Sequence, residues 1–361
     1  MKVRISSTLS VRFFHTLLHF QLIFSVNPFM TEKIRWGIIG LGRIARAFAE
    51  GLRHAPNATL HSVASRNPRK AKAFAAEWKV PFWDGSYQAL MKREEVDAVY
   101  IATPHSEHAE QAMSCMKMGK AVLCEKPLAI NARQVSSMID CAKENKVLLM
   151  EGMWSRFPPL MKQVRNIIKS GELGEIKTLH ADFGFIPLKR DPVGRLLNPK
   201  LAGGSLLDVG IYPISLSFMI FGKPKTFATA CHIGETGVDE QGCYVFKYNG
   251  GAMSVLHSSF LGNTSQEAFI SGTEGTIKIH RQCWKPQKMT LTKLESREVT
   301  ISEMPFEGNG FNYEAEAFGE LLMNGQKESS IMPLTESLEI LQIMDEIREK
   351  WGLRYPMEMD A

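Results

Sequence analysis

Residues 35–45 read Arg-Trp-Gly-Ile-Ile-Gly40-Leu41-Gly42-Arg43-Ile44-Ala45, an apolar run that meets a glycine-rich turn and continues into an Ala/Phe-rich segment. The pattern predicts a strand, a tight turn and a helix. Gly40 permits the turn, Gly42 has no side chain to block a pyrophosphate, and Ala45 is small enough for the helix to lie close against the strand. The free N–H groups at the helix start then face the phosphates, with Leu41, Arg43 and Ile44 completing the loop. A lone G-x-G-x-x-A matches many glycine turns by chance. The strand before it and the helix after it make a nicotinamide dinucleotide the expected ligand.

Outward from this turn, strand and helix alternate. Apolar runs at Ile34–Ile39, Thr59–Ser65, Ala98–Ala102, Ala121–Cys124 and Val147–Glu151 are separated by helical patterns over 44–52, 70–78, 106–118 and 132–144. Buried strands joined by helices of this length predict a parallel, doubly wound sheet, an α/β Rossmann domain over residues 33–152. After a helix near 159–170 the pattern changes. Alternating runs at 176–185, 226–232, 242–248, 252–260, 267–271 and 276–280 follow, with a hairpin signal at Asn249-Gly250-Gly251. They predict an α+β domain with a mostly antiparallel open sheet over residues 153–361, closed by helices over 311–323 and 337–351.

Composition fits a soluble enzyme. The 361 residues suffice for about two domains, and 44% hydrophobic with 22% charged residues predicts an ordinary core. The formal charge of +5 comes without a basic block interleaved with aromatics, so neither nucleic acid nor a membrane is expected as a partner. Six cysteines without a C-x-x-C pair predict reduced thiols and a cytoplasmic setting. No metal-ligand spacing is present, and no metal is expected. The first acidic residue is Glu32, and the apolar stretch 13–25 is interrupted by His15 and His19. It lacks a signal-cleavage pattern and is too short to span a bilayer. Met30-Thr-Glu-Lys makes a natural start, so residues 1–32 are expected to be an extension whose first 29 residues are disordered or absent in the cell.

The end of the second strand selects the cofactor form. NAD-specific sites carry an acid there to hold the ribose 2′-hydroxyl. This chain reads Ala64-Ser65-Arg66-Asn67. Ser65 can hydrogen-bond a 2′-phosphate and Arg66 can pair with it, so NADP is expected, with NAD possible. An ordinary solvated loop charge is the alternative for Arg66. Two more segments fall at strand ends, where ligands of such sheets collect: Thr103-Pro-His105-Ser-Glu-His108 and Glu125-Lys126-Pro127. Proline restricts its predecessor's backbone, which holds Lys126 extended at the sheet edge. An amine there can serve as the general base of alcohol oxidation, though an exposed turn lysine is the plainer reading.

These motifs, followed by Gly203-Gly-Ser-Leu-Leu-Asp208-Val-Gly-Ile-Tyr212, stand in the order that marks the glucose–fructose oxidoreductase/inositol dehydrogenase/MocA family, which the chain resembles from about residue 33 to 361. Ser65-Arg66, Glu151-Gly-Met-Trp154-Ser-Arg156-Phe157 and Tyr212 resemble the branch of dimeric dihydrodiol dehydrogenase and NADP-dependent D-xylose 1-dehydrogenase. The resemblance implies hydride transfer between nicotinamide and a secondary alcohol or hemiacetal of a sugar, inositol or cyclic trans-diol. It implies that Lys126 and Tyr212 flank the reacting hydroxyl, with either one taking the proton. Asp208, four residues before Tyr212, orients the substrate or pairs with Lys126; without the resemblance, a helix cap is as good a reading. Thr103, His105, Glu125 and Lys126 are expected near the cofactor, His108 in helix packing, and Trp154, Arg156 and Phe157 as walls of a cleft for a polyhydroxylated substrate. A domain hinge is the plainer reading for those three. The resemblance also implies a homodimer or homotetramer through the second sheet. Glycoside cleavage by transient oxidation and a non-catalytic NADP sensor stay open as other functions.

Overall fold

The computed structural model describes residues 33–359, so the expectation about the extension lies outside the described residues. Strand β1 (Ile34–Ile39) is buried except at Arg35, because it runs in the middle of a sheet packed with helices. It turns at Gly40, whose φ of +87° only glycine adopts without strain, into α1 (Arg43–Leu52). Then follow β2 (Ala58–Ala64), α2 (Pro68–Trp78), β3 (Phe82–Asp84), α3 (Tyr87–Met91), β4 (Ala98–Ile101), α4 (His108–Lys117), β5 (Ala121–Glu125), α5 (Ala132–Asn145) and β6 (Leu149–Gly152). All strand pairs are parallel, in the order β3-β2-β1-β4-β5-β6. The connection reverses direction between β1 and β4, and the crevice that opens there is the ligand position of this topology. The sequence pattern missed β3 and α3: β3 is a three-residue edge strand with Phe82 and Trp83 exposed, so it carries no burial period.

Helix α6 (Pro159–Ser170) leads to β7 (Ile176–Gly184), a long loop, a wide π-type turn over Leu206–Gly210 and α7 (Ile211–Phe221). Strands β8 (Thr226–Ile233), β9 (Asp239–Lys247), β10 (Met253–Ser259), β11 (Ala268–Gly272), β12 (Gly275–Ile279), β13 (Lys288–Lys293) and β14 (Val299–Glu303) complete an eight-stranded sheet, β14-β13-β12-β11-β7-β10-β9-β8. It is antiparallel except for β7 beside β10. The strands alternate buried and exposed residues, as a sheet with one covered face must. Helix α7 is apolar along most of its length and packs against β7 and β10. The stretch 199–221 is long and apolar enough to cross a membrane, but most of it is buried inside the protein, the place of a core helix.

Helices α8 (Phe311–Met323) and α9 (Leu334–Trp351) return to the first sheet. Helix α8 lies on α1, and α9 packs on α5 and α7. Trp36 of β1 is fully buried between Phe48 of α1 (ring centroids 5.3 Å) and Phe318 of α8 (5.0 Å). Phe48 in turn stacks on Tyr100 at 3.7 Å.

Candidate active site

The first turn fits a dinucleotide. A Cβ on Gly40 would stand 2.7 Å from the Ala102 carbonyl and the Thr103 nitrogen, so the strand end closes on its neighbour only with glycine there. Above Gly42 nothing lies within 4 Å, and α1 begins with no side-chain cap and no acid in its first turn, which leaves an electropositive end facing open space. Leu41 is buried beneath the loop, while Arg43 is exposed beside it. Thr103 Oγ1 is buried without a protein partner at the mouth of the same crevice. At the end of β2, Ser65 is buried and accepts from the Asn67 N–H at 3.2 Å. Arg66 reaches outward, paired with Glu107 at 3.1 Å and close to the Tyr87 ring.

The chemistry-bearing groups gather at the carboxyl end of β5. Lys126 Nζ donates to the Asp208 carbonyl at 2.5 Å, stands 3.6 Å from its Oδ1, and lies 4.8 Å from the centre of the Tyr212 ring. The π-type turn brings this about, since it sets Asp208 and Tyr212 on the side of the helical stretch that faces β5. Burial pushes the Asp208 carboxyl up, but Lys126 and Arg195 outweigh it and hold that acid well below the usual carboxylate range. Glu125 is buried; its carboxylate accepts from the Tyr100 hydroxyl and, at 3.2 Å, from the Lys126 N–H. Burial raises it to about 6. His105 is pushed down to about 3 by burial, so its neutral ring donates from Nδ1 to the Ala202 carbonyl at 2.9 Å. His108 stands between the Pro127 and Thr103 carbonyls, its two ring nitrogens 2.8 and 3.0 Å from them, and burial opposes the charged form that would donate to both.

Tyr212 is partly exposed and its hydroxyl accepts from Trp154 Nε1 at 3.0 Å. Burial and the Glu125 charge push its ionisation far above the ordinary tyrosine range. The lysine amine lies over the ring face, so no ammonium contacts the oxygen to stabilise a phenolate. Beside it stands an aromatic wall: Phe183 is 5.5 Å from Tyr212 and stacks on Trp284 at 3.4 Å, and Trp154 stacks on Phe311 at 4.7 Å.

Arg156 has a different place from the one expected. It borders the small cavity between Tyr212 and Trp284, yet it is 3% exposed and its guanidinium is taken up by Ser215 (backbone O 2.6 Å, Oγ 2.9 Å) and Glu336 (2.5 Å). It joins the strand-end turn to α7 and α9, the place of a hinge residue, at the border of that cavity. Phe157 is likewise a core residue, 8% exposed. Of the three, Trp154 alone contacts Tyr212 through a hydrogen bond.

Three groups escaped the sequence reading. Phe183 and Trp284 were hidden because nothing in an alternating strand or a loop marks which aromatic faces a site. Arg195, in the loop after β7, holds Asp208 Oδ1 at 2.7 Å. Behind the site, Asp239 accepts from the Leu206 N–H (2.6 Å) and Ser205 Oγ (2.9 Å), fixing the start of the turn that carries Asp208. Its approach needs the bare Gly204, φ +119°, where a Cβ would meet Asp239 Oδ1 at 2.2 Å.

Comparison with known proteins gives a consistent picture. Residues 34–153 match the model of the GFO/IDH/MocA oxidoreductase family, NAD-binding Rossmann fold, and residues 161–278 match the GFO/IDH/MocA C-terminal domain. The chain is 35% identical to the trans-1,2-dihydrobenzene-1,2-diol dehydrogenase of Xenopus tropicalis over 330 residues, 89% of this chain and 99% of that one. It is 34% identical to the human protein of the same name over 334 residues, 90% and 99% of the two chains. Among solved structures, the aldose-aldose oxidoreductase of Caulobacter crescentus superimposes with a TM-score of 0.81 at 25% identity, covering 89% of this chain and 98% of that one. The 3-ketoreductase KijD10 of Actinomadura kijaniata, solved with NADP and TDP-benzene, gives 0.78 at 26%, covering 88% and 98%.

Burial raises the Asp239 carboxyl from 3.8 to about 7. Across that interval the folded protein keeps a proton that the unfolded chain releases. This group's stabilisation is therefore complete below 3.8 and is lost as pH rises through 7. Asp239→Asn is neutral throughout, so the melting temperature of the wild type should fall relative to that of the variant between pH 5 and pH 8 as the buried acid ionises. An offset that does not change with pH in thermal melts contradicts the assignment.

Proposed function

As a member of the GFO/IDH/MocA oxidoreductase family the chain is an NAD(P)-dependent dehydrogenase, and we propose that it uses NADP to interconvert a secondary alcohol or hemiacetal and its carbonyl, on a cyclic trans-diol or a sugar. The observation that carries this reading is the meeting of Lys126, Asp208 and Tyr212 at the edge of the first sheet, an amine beside a carboxylate and a phenol. The aromatic wall of Trp154, Phe183 and Trp284 supports a flat ring as substrate, and so does the similarity to dihydrodiol dehydrogenases.

When bound, the nicotinamide supplies the acceptor for the carbinol hydride. The chain's own residues handle the proton. In oxidation the substrate hydroxyl proton passes to the Lys126 amine as the carbonyl forms, and in reduction the same amine returns it. Tyr212 keeps its proton at neutral pH; its oxygen accepts from Trp154, which leaves its O–H to donate to the reacting oxygen. Ionised Asp208 accepts from a second hydroxyl of the substrate. Ser65 and Arg66 stand where an NAD-specific site carries an acid, which supports NADP. The outer face of the eight-stranded sheet exposes Val255 and Phe269 near its centre, and we assign it to a second copy of the chain.

Aldoses, inositols and trans-dihydrodiols assayed with NADP+ at 340 nm test the substrate class, and a dihydrodiol should give the highest kcat/KM. Substrate cleavage without net NADPH indicates transient oxidation instead, and silence across the panel indicates a sensor. Lys126→Ala should lower turnover by about two to four powers of ten while NADPH titration stays unchanged; Arg195 remains as partner of the buried Asp208 in that variant. Arg66→Ala should weaken NADP+ by about 1.5–3 kcal/mol and NAD+ far less. Equal losses for both cofactors contradict a 2′-phosphate contact. Light scattering should return a multiple of the protomer mass.

A further inference from the structure

Arg195 is the charged residue of the cleft that the proposed reaction leaves without a role. Its side chain is half exposed, and its Nη1 holds Asp208 Oδ1 at 2.7 Å, the same oxygen that stands 3.6 Å from Lys126 Nζ. One carboxylate is thus shared between two cations, and the shorter contact belongs to the arginine. The loop does not need this contact to stay in place. Arg190 anchors it to Glu240 at 2.5 Å, Leu197 is buried, and the backbone of Leu196 accepts from the Gly204 N–H at 2.8 Å.

We infer that Arg195 is a positioning residue for the reaction: by engaging Asp208 it keeps that carboxylate from pairing one-to-one with Lys126, so the amine is available to take the substrate proton. The inference rests on the proposed role of Lys126. The other groups facing the amine are few. Glu125, its chain neighbour, is engaged by Tyr100 and by the Lys126 N–H. His105 and His108, from the segment after β4, are driven toward the neutral form by burial. Tyr212 presents its ring face. Asp208, Arg195 and, above about pH 6, Glu125 are therefore the charged side chains that set the field at the amine, and Arg195 is the one whose loss leaves the lysine's own contacts in place. Losing the guanidinium removes a like charge and leaves Asp208 wholly to the lysine, and both changes favour the protonated amine.

Arg195→Gln keeps a hydrogen-bond donor, on a shorter side chain, and removes the charge. In kcat/KM for oxidation measured against pH, its acid limb should move upward by about one pH unit or more, the size of effect a neighbouring charge produces. Turnover should approach the wild-type value in alkaline buffer, with NADPH affinity within about twofold of wild type as the check on folding. Arg195→Lys, which restores a cation, should bring the limb back toward its original position. A limb that stays in place, with activity lost uniformly or through KM alone, overturns the inference and makes Arg195 a binding or structural residue. Lys126→Ala separates the two levels. If that variant keeps wild-type turnover, the proposed function has failed; if it is inactive while Arg195→Gln leaves the limb unmoved, this inference alone has failed.

Discussion

The Asp208 carboxylate lies inside the protein and touches cations from two distant parts of the chain, Lys126 at the end of β5 and Arg195 after β7. Isolated charges are costly to bury, and an ion pair offsets that cost only when its geometry is good and its remaining hydrogen-bonding capacity is met. Here Lys126 also donates to the Asp208 backbone carbonyl, so the lysine binds the turn as well as its side chain. The contact sets the register between the two sheets, because one partner ends a strand of the first and the other opens the helix packed on the second. Tyr212, Trp154 and the aromatic wall take their positions from that register.

Around this array the protein uses buried carboxyls as acceptors for loose backbone ends. Glu151 accepts from the Leu128 N–H at 3.0 Å and from Ser337 Oγ at 2.6 Å, which fastens the loop behind Pro127 to α9. Asp239 does the same for the start of the turn at Leu206. Burial raises both acids. Glu314, whose two oxygens have no protein partner, is raised further by burial and by the Glu125 charge. The floor of the site thus carries three acids that burial pushes toward their neutral form.

Much of this was legible in the residues. The Gly40–Ala45 turn, the alternation of apolar strands with helices and the switch to period-two runs after residue 170 follow from local sterics and burial, so both sheets could be read except for their outer strands β3, β13 and β14. The expected position of Lys126 rested on its place between a strand end and Pro127, and that of Asp208 on the family resemblance; both fix neighbours along the chain. What spacing does not carry is the partner of a side chain far away in sequence. Arg195 lies in a loop of prolines and charges without a period, and only the fold brings it to Asp208. Arg156 shows the converse. A cation in a motif reads as a ligand contact, yet its neighbours Ser215 and Glu336 lie on helices that no local pattern links to it. Short edge strands such as β3 fail for a simpler reason, since three residues with exposed side chains make no pattern.

Helix α8, near the end of the chain, supplies Phe318 to the core around Trp36 in the first strand. The α1 face of the nucleotide sheet is therefore unfinished until a helix that follows the whole second sheet has been made. A domain that reads from its motifs as an autonomous module, folded before the segments that follow it, must wait for α8, beyond the whole second sheet, to seal its interior. Until then its central tryptophan is covered by Phe48 alone of these two rings, and the core of the nucleotide domain is completed by a segment from beyond the second sheet.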